Sequence, residues 1–382
     1  MAIDKPVNYD QPQSVNDELM IPPLVGEEIE LEPGTDQEVN VEMMEDGSAV
    51  IGEPEQSPVS FDSNLAEYMD ENDLGFLSSD IRGSYDEDKS SRNDWEETYT
   101  KGLDLLGLKY RARSQPFMGA SNVTHPLLAE TVTQFQAQAY KEILPAGGPV
   151  RCQIIGAQSK EKEDQAQRVK DYMNYQIMHV MEEFDPDVDQ MLFYLPLAGS
   201  AFKKVYYDAG LGRAVSKFIP AEDLVVPYTA TNLEQSERVT HIVKKSENEI
   251  RKLQVTGFYR DVSLTISDEE SRLKEKEREL SGINRTGYQN EMYTLLEVHA
   301  DLDIPGFENE DGIKQPYIVT IDEGSNKVLS IYRNYKEEDT LFKKQQYFVH
   351  YKFMPGLGFY GLGLIHMIGG LTRTATAALR QL

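Results

Sequence analysis

Charge in this chain is concentrated at one end, and that decides which part can build a core. The formal net charge is -27 over 382 residues, and residues 1–90 carry most of it, with 24 Asp and Glu against Lys5, Arg82 and Lys89. The same stretch is rich in Pro, Ser and Asn and has only short apolar clusters, at Ile21–Val25, Leu65–Tyr68 and Leu74–Leu77. Such a segment buries too little apolar surface to offset the entropy of ordering it. The expectation is a disordered acidic tail over 1–90, whose apolar clusters either dock on a partner or are incidental. The remainder is only mildly acidic, and a chain that is 40% hydrophobic and 9% aromatic has material for a core there.

This distribution argues against several function classes. A tight reader of DNA needs a basic face, and none is evident. One cysteine, Cys152, allows no intrachain disulfide and no cysteine-based zinc site. Met1 to Glu18 lacks the basic and apolar regions of a secretory signal. Phe353 to Thr372 is free of charged side chains and long enough to span a bilayer, yet it holds Pro355, His366 and glycines at 356, 358, 361, 363, 369 and 370. A buried turn followed by a helix fits it better than a membrane span, so no membrane association is expected.

Periodicity supplies the elements. Asn93 or Asp94 can cap a helix through Leu106, with Trp95, Tyr99, Leu103 and Leu106 on one face. Leu128, Val132, Phe135, Ala139 and Ile143 recur at helical steps before Pro145. A third helix starts at Ser159, with Glu161 and Glu163 in its first turn, and its expected core stripe is Val169, Met173, Ile177, Val180, Met181 and Phe184. Asp185-Pro-Asp187 breaks it, and a fourth helix runs to Leu197. Strands follow: a hairpin of Ala201–Tyr207 and Arg213–Ile219, then Leu224–Val226, Val239–Val243, Tyr293–His299, Pro316–Asp322 and Lys327–Arg333, the last two joined by a turn at Glu323–Asn326, and finally Gln346–Tyr351. Ser267–Leu280, with a Glu270–Lys274 pair, has the pattern of a solvated surface helix. Leu364 to Leu382 is helical and meets no stop signal, from which we expect the sequence to be part of a longer protein. The fold class is α+β.

Chemical motifs are sparse. Gly356, Gly358 and Gly361 spell G-x-G-x-x-G between a strand and a helix, the setting of a dinucleotide fingerprint. The acidic residue expected about twenty positions on is missing and no repeated βαβ pattern surrounds it, so close backbone packing is the better account. Asp185, Asp187 and Asp189 alternate as in a calcium loop, but Gln190 and Pro196 stand where glycine and glutamate belong. His125, His179, His241, His299, His350 and His366 are scattered, and no nucleophile or zinc signature occurs. No catalytic, cofactor-binding or metal residue is assigned, and an enzyme is not expected.

Two stretches carry a resemblance. Arg92-Asn-Asp-Trp95 through Gly102–Gly107, then Phe117–Pro126 and Glu142–Pro145, resembles the opening of portal proteins from short-tailed bacteriophages. Phe359-Tyr-Gly361-Leu-Gly-Leu364, a Gly-Gly pair and the Ala/Leu/Thr-rich run to Leu382 do so as well. The resemblance implies a dodecameric ring at a capsid vertex, assembled in the host cytoplasm and carried in the virion, through which double-stranded DNA passes without sequence preference. Its partners would be capsid protein, the large terminase and tail adaptor proteins. Residues 91–355 would be an α+β wing and 356–382 a glycine turn leading into the first stem helix; the clip, the returning stem helix and any crown would lie beyond Leu382. Arg373 and Arg380 would face the bore or neutralise a neighbouring subunit. The alternatives are another capsid-associated adaptor or scaffold, or a nucleotide-binding enzyme.

Overall fold

The computed structural model describes residues 41–43, 49–51, 59–107, 123–267, 271–282, 292–309 and 312–381. The chain divides into two compact units, Met1–Val59 and Ser60–Leu382. In the first, β1 (Val41–Met43) pairs antiparallel with β2 (Ala49–Ile51), a ladder that the composition of the acidic tail did not suggest. Ile21–Val25 and most of the tail before Val59 lie outside the described residues, as do Phe117–Asn122 and Glu270.

In the second unit, α1 (Glu71–Ser91), α2 (Asn93–Leu103), α3 (Leu127–Ile143), α4 (Lys160–Tyr175) and α5 (Phe184–Ala198) precede the strands β3 (Ser200–Asp208), β4 (Arg213–Pro220), β5 (Leu224–Val225) and β6 (Arg238–Ser246). Then come α6 (Glu247–Val255), α7 (Arg272–Leu280), β7 (Met292–Leu302), β8 (Gln315–Asp322), β9 (Val328–Arg333), β10 (Phe348–Lys352) and α8 (Leu364–Gln381). The strands form two antiparallel sheets, one ordered β10-β3-β4 and the other β5-β6-β7-β8-β9. The α+β class read from the sequence is the class observed.

Regular structure is present ahead of Asn93, in a short turn at Leu65–Glu67 and in α1, which corrects the expectation for 60–90. Helix α1 buries Leu74, Ser78, Ile81, Tyr85 and Asp88, a regular three- and four-residue stripe. Two of those five positions are polar, so composition concealed the stripe. Asp88 is buried because Arg238 of β6 grips it through Nε at 2.6 Å and Nη2 at 3.0 Å. The helix reaches both edge strands of the larger sheet, β5 and β9, and so lies across its face. Ahead of it, Leu65 is fully buried and Asn64 closes the β9 edge, donating to Leu329 O at 3.1 Å and accepting from Ile331 N at 2.9 Å. An edge strand with free backbone groups invites foreign pairing, and here the Asn64 amide, together with Arg260 N on Leu329 O, occupies them.

Three further expectations change. Asn93 caps nothing, because α1 and α2 meet at a one-residue bend on Arg92. The third helix does start at a Ser159 cap, but it passes into a π turn at Gln176–Val180 and stops; Phe184 opens α5 instead. The first half of its expected core stripe is exposed, Val169 by 43% and Met173 by 44%, whereas Ile177, Val180 and Met181 are half-buried and Phe184 packs against the core at α5. Helix α7 is not merely solvated, since Leu273 is fully buried in the helical core beside Tyr99, Leu103 and Leu128. The other strands, the β3–β4 hairpin and the β8–β9 turn lie where the sequence placed them, with Asn326 in the left-handed region at φ 55°.

Candidate functional site

The glycine-rich segment after β10 is a strap that crosses the end of α5. Phe353 N donates to Gly199 O at 3.0 Å, Leu362 N returns to Met354 O at 2.9 Å, and Gly361 N donates to the Ser200 hydroxyl at 2.7 Å. A Cβ at Gly361 would fall on the Gly199 carbonyl oxygen, and one at Gly363 on that of Leu197. Gly199 itself holds φ 88° to end α5. Backbone thus packs directly on backbone, as expected for these glycines, and the amides of Gly361 and Gly363 are taken by Ser200 and by His366 Nδ1 rather than presented to a phosphate. Gly358 has open space where a Cβ would stand.

The strap delivers Phe359 and Tyr360 to the centre of the fold. Phe359 stacks on Phe202 of β3, and Tyr360 lies parallel to Trp95 of α2 with centroids 4.8 Å apart. Beneath them Arg92 is buried at the α1–α2 bend. It donates to the carbonyls of Ala221 (3.1 Å), Glu222 (2.6 Å) and Leu224 (2.9 Å) and to the Tyr360 hydroxyl (3.1 Å), and its charge meets Glu96 at 2.9 Å. Helix α8 starts from this hub. Ile365 sits where a side chain on Gly102 would be, Thr376 Oγ1 accepts from His125 N at 3.1 Å, and Arg380 donates to Val123 O at 3.0 Å. Arg373 is exposed, whereas Arg380 is engaged by the loop that leads into α3.

Asp185, Asp187 and Asp189 do not converge. They accept from Tyr140 OH, Phe218 N and Gln136 respectively. Among the described residues no group of three or more His, Cys, Asp or Glu is placed to hold a metal ion.

Two charged clusters were not legible as sites. In the first, Lys204 of β3 reaches Glu297 of β7 at 2.5 and 2.6 Å and joins the two sheets. His299 Nε2 lies 2.7 Å from the same carboxylate, and His241 faces it from β6. Burial alone would raise the Glu297 carboxyl, but Lys204 and the two imidazoles hold it well below the usual carboxylate range. Burial pushes His241 down to about 3, so a neutral ring faces the ion pair. The scattered histidines of the sequence hid this grouping because cross-strand register, which pairs His241 with Glu297, brings them together.

The second cluster lies where α7 meets the core. Glu222 is 5% exposed, and burial together with Glu277 and Asp223 pushes its carboxyl up to about 8. Burial likewise lifts Glu277 to about 7 against the pull of Lys274. Glu222 Oε2, Tyr99 OH and Trp95 Nε1 have no hydrogen-bond partner among the described residues.

Among the described residues, no helix is long and apolar enough to cross a membrane. No family model matches the chain, and no curated protein matches it.

Proposed function

We propose that this chain is a subunit of a bacteriophage portal ring, a non-enzymatic conduit for DNA packaging and ejection. One observation carries the reading. The two stretches that resemble portal proteins interlock across a sequence separation of 268 residues between Arg92 and Tyr360, with Trp95 also on Tyr360 and Gly102 against Ile365. A motif pair that co-packs in this way behaves as one mechanical part, the seat of a helix. Helix α8 leaves that seat exposing Met367, Leu371, Arg373 and Thr374. In a ring its role would be the first stem helix, with the α+β body as the wing. A conduit works by shape, charge placement and closure of head-to-tail contacts, and it needs no catalytic constellation. On this reading capsid protein, the large terminase and tail adaptors are its partners, and the virion is its place.

The test is negative-stain microscopy with native mass spectrometry on the full-length product of the reading frame. Rings with a central hole and a mass near twelve subunits are expected. Monomers under assembly conditions would overturn the proposal and leave a capsid adaptor or scaffold as the better account.

A further inference from the structure

Helix α7 carries an acid where its apolar stripe should be. Leu273, Glu277 and Leu280 stand at i, i+4 and i+7, one face of the helix, and both leucines belong to the helical core. Glu277 is therefore turned inward, toward the turn that holds Glu222. Burying one carboxylate without a cation is costly, and a second, half-buried carboxylate near it raises the cost. The nearby cations answer them only in part, Lys274 pulling on both from a distance. Lys274 is bound to Asp223, Lys276 to Asp104 at 2.9 Å, and the Arg92 guanidinium gives its Nη2 to the Glu222 carbonyl and to Glu96. Tyr99 of α2 and Tyr194 of α5 also lie near both acids, and neither supplies positive charge. Glu222 Oε2 is buried with no partner among the described residues.

We propose that α7 is a proton-operated latch, seated while Glu222 and Glu277 hold protons and loosened when both ionise. The lysine pairs hold the two flanks of the helix, Leu273 and Leu280 supply the apolar seat, and the acids set the pH at which the seat is favourable. A seated helix keeps protons that a released one, with carboxyls back in their ordinary range, gives up. Seating is therefore firmest at and below that range, weakens as pH rises toward about 7 and 8, and changes little above. Each group lifted by one pH unit contributes about a tenfold change in the seating equilibrium. The latch stands whether or not the chain forms rings.

Hydrogen exchange of the full chain, read by mass spectrometry and corrected for intrinsic rates, tests it. Protection of Arg272–Leu280 relative to α3 is measured at about pH 6 and about pH 9, and a fall of at least about tenfold is expected on raising the pH. Glu277→Gln should keep α7 protected at the higher pH and flatten the dependence, and Glu222→Gln should act the same way. Leu273→Ala should loosen the helix at both pH values, which separates loss of the seat from loss of the switch. Should Glu222→Gln fold poorly, the partly exposed Glu277→Gln carries the test alone. A wild-type α7 indifferent to pH, or a Glu277→Gln variant with the wild-type slope, overturns the proposal.

Discussion

Arg92 shows how much one side chain can organise. Its guanidinium is the donor for the carbonyls of Ala221 and Glu222 in the turn before β5, of Leu224 at the start of β5, and for the Tyr360 hydroxyl of the strap. Replacing it with methionine keeps some of the packing but leaves those acceptors buried and unmatched. Hydrogen bonds from a charged donor contribute about 1.5–3 kcal/mol each and are not additive, so the expected loss is about 3–5 kcal/mol. Urea unfolding measures it as a lower midpoint at unchanged slope. Arg92→Lys should recover only part, because an ammonium cannot fork to several carbonyls at once; full recovery would mean that charge, not geometry, is what the hub needs. None of this was legible at the residue scale. Arg92 stands out only as the first residue of a resemblance, since the carbonyls and the hydroxyl it holds are more than a hundred positions away. Glu277, by contrast, is visible between two leucines, but a helix so rich in charge has the pattern of a solvated surface helix.

At the scale of elements, the strap separates glycines that the motif treats alike. Gly361→Ala would put a methyl on the Gly199 carbonyl and displace the strap or the end of α5, at a cost of about 1–3 kcal/mol or more. Gly358→Ala meets nothing within 4 Å and should leave the melting temperature unchanged. Calorimetry of the pair decides whether the glycines serve backbone contact; equal losses would point to a shared role in chain flexibility. Elements were legible wherever period and punctuation agreed: α3 ends just before Pro145, α5 opens at Asp185-Pro-Asp187, and β8 turns into β9 through Asn326. Helix α4 is legible as a helix, yet the Val169 and Met173 end of its apolar stripe stays exposed, because periodicity says which face is apolar and not what covers it.

For the whole molecule, the question is where the folded unit starts. Composition placed it after residue 90, whereas α1 lies across the larger sheet and is tied to it by Asp88–Arg238 and by Arg82 Nη1 to Glu323 O at 3.1 Å. Trypsin distinguishes the two, because the only basic residues in the first 90 are Lys5, Arg82 and Lys89, and Lys5 precedes Pro6. A loose α1 would be cut at Arg82 and Lys89 first, releasing the acidic segment within minutes. A docked α1 must open before a protease can thread it, so cleavage there should be no faster than at Lys203 and Lys204 of β3. Ile81→Ala removes a fully packed side chain at a cost of about 2–5 kcal/mol and should make both sites labile without new cuts in α3. Early loss of the segment from the unsubstituted chain would instead show that the stripe Leu74, Ser78, Ile81, Tyr85 and Asp88 is too dilute to hold. The expected outcome is protection, since the two polar members of that stripe do not weaken it: Asp88 is matched by Arg238 and Ser78 donates to Gly75 O at 3.0 Å, so neither is buried unpaired.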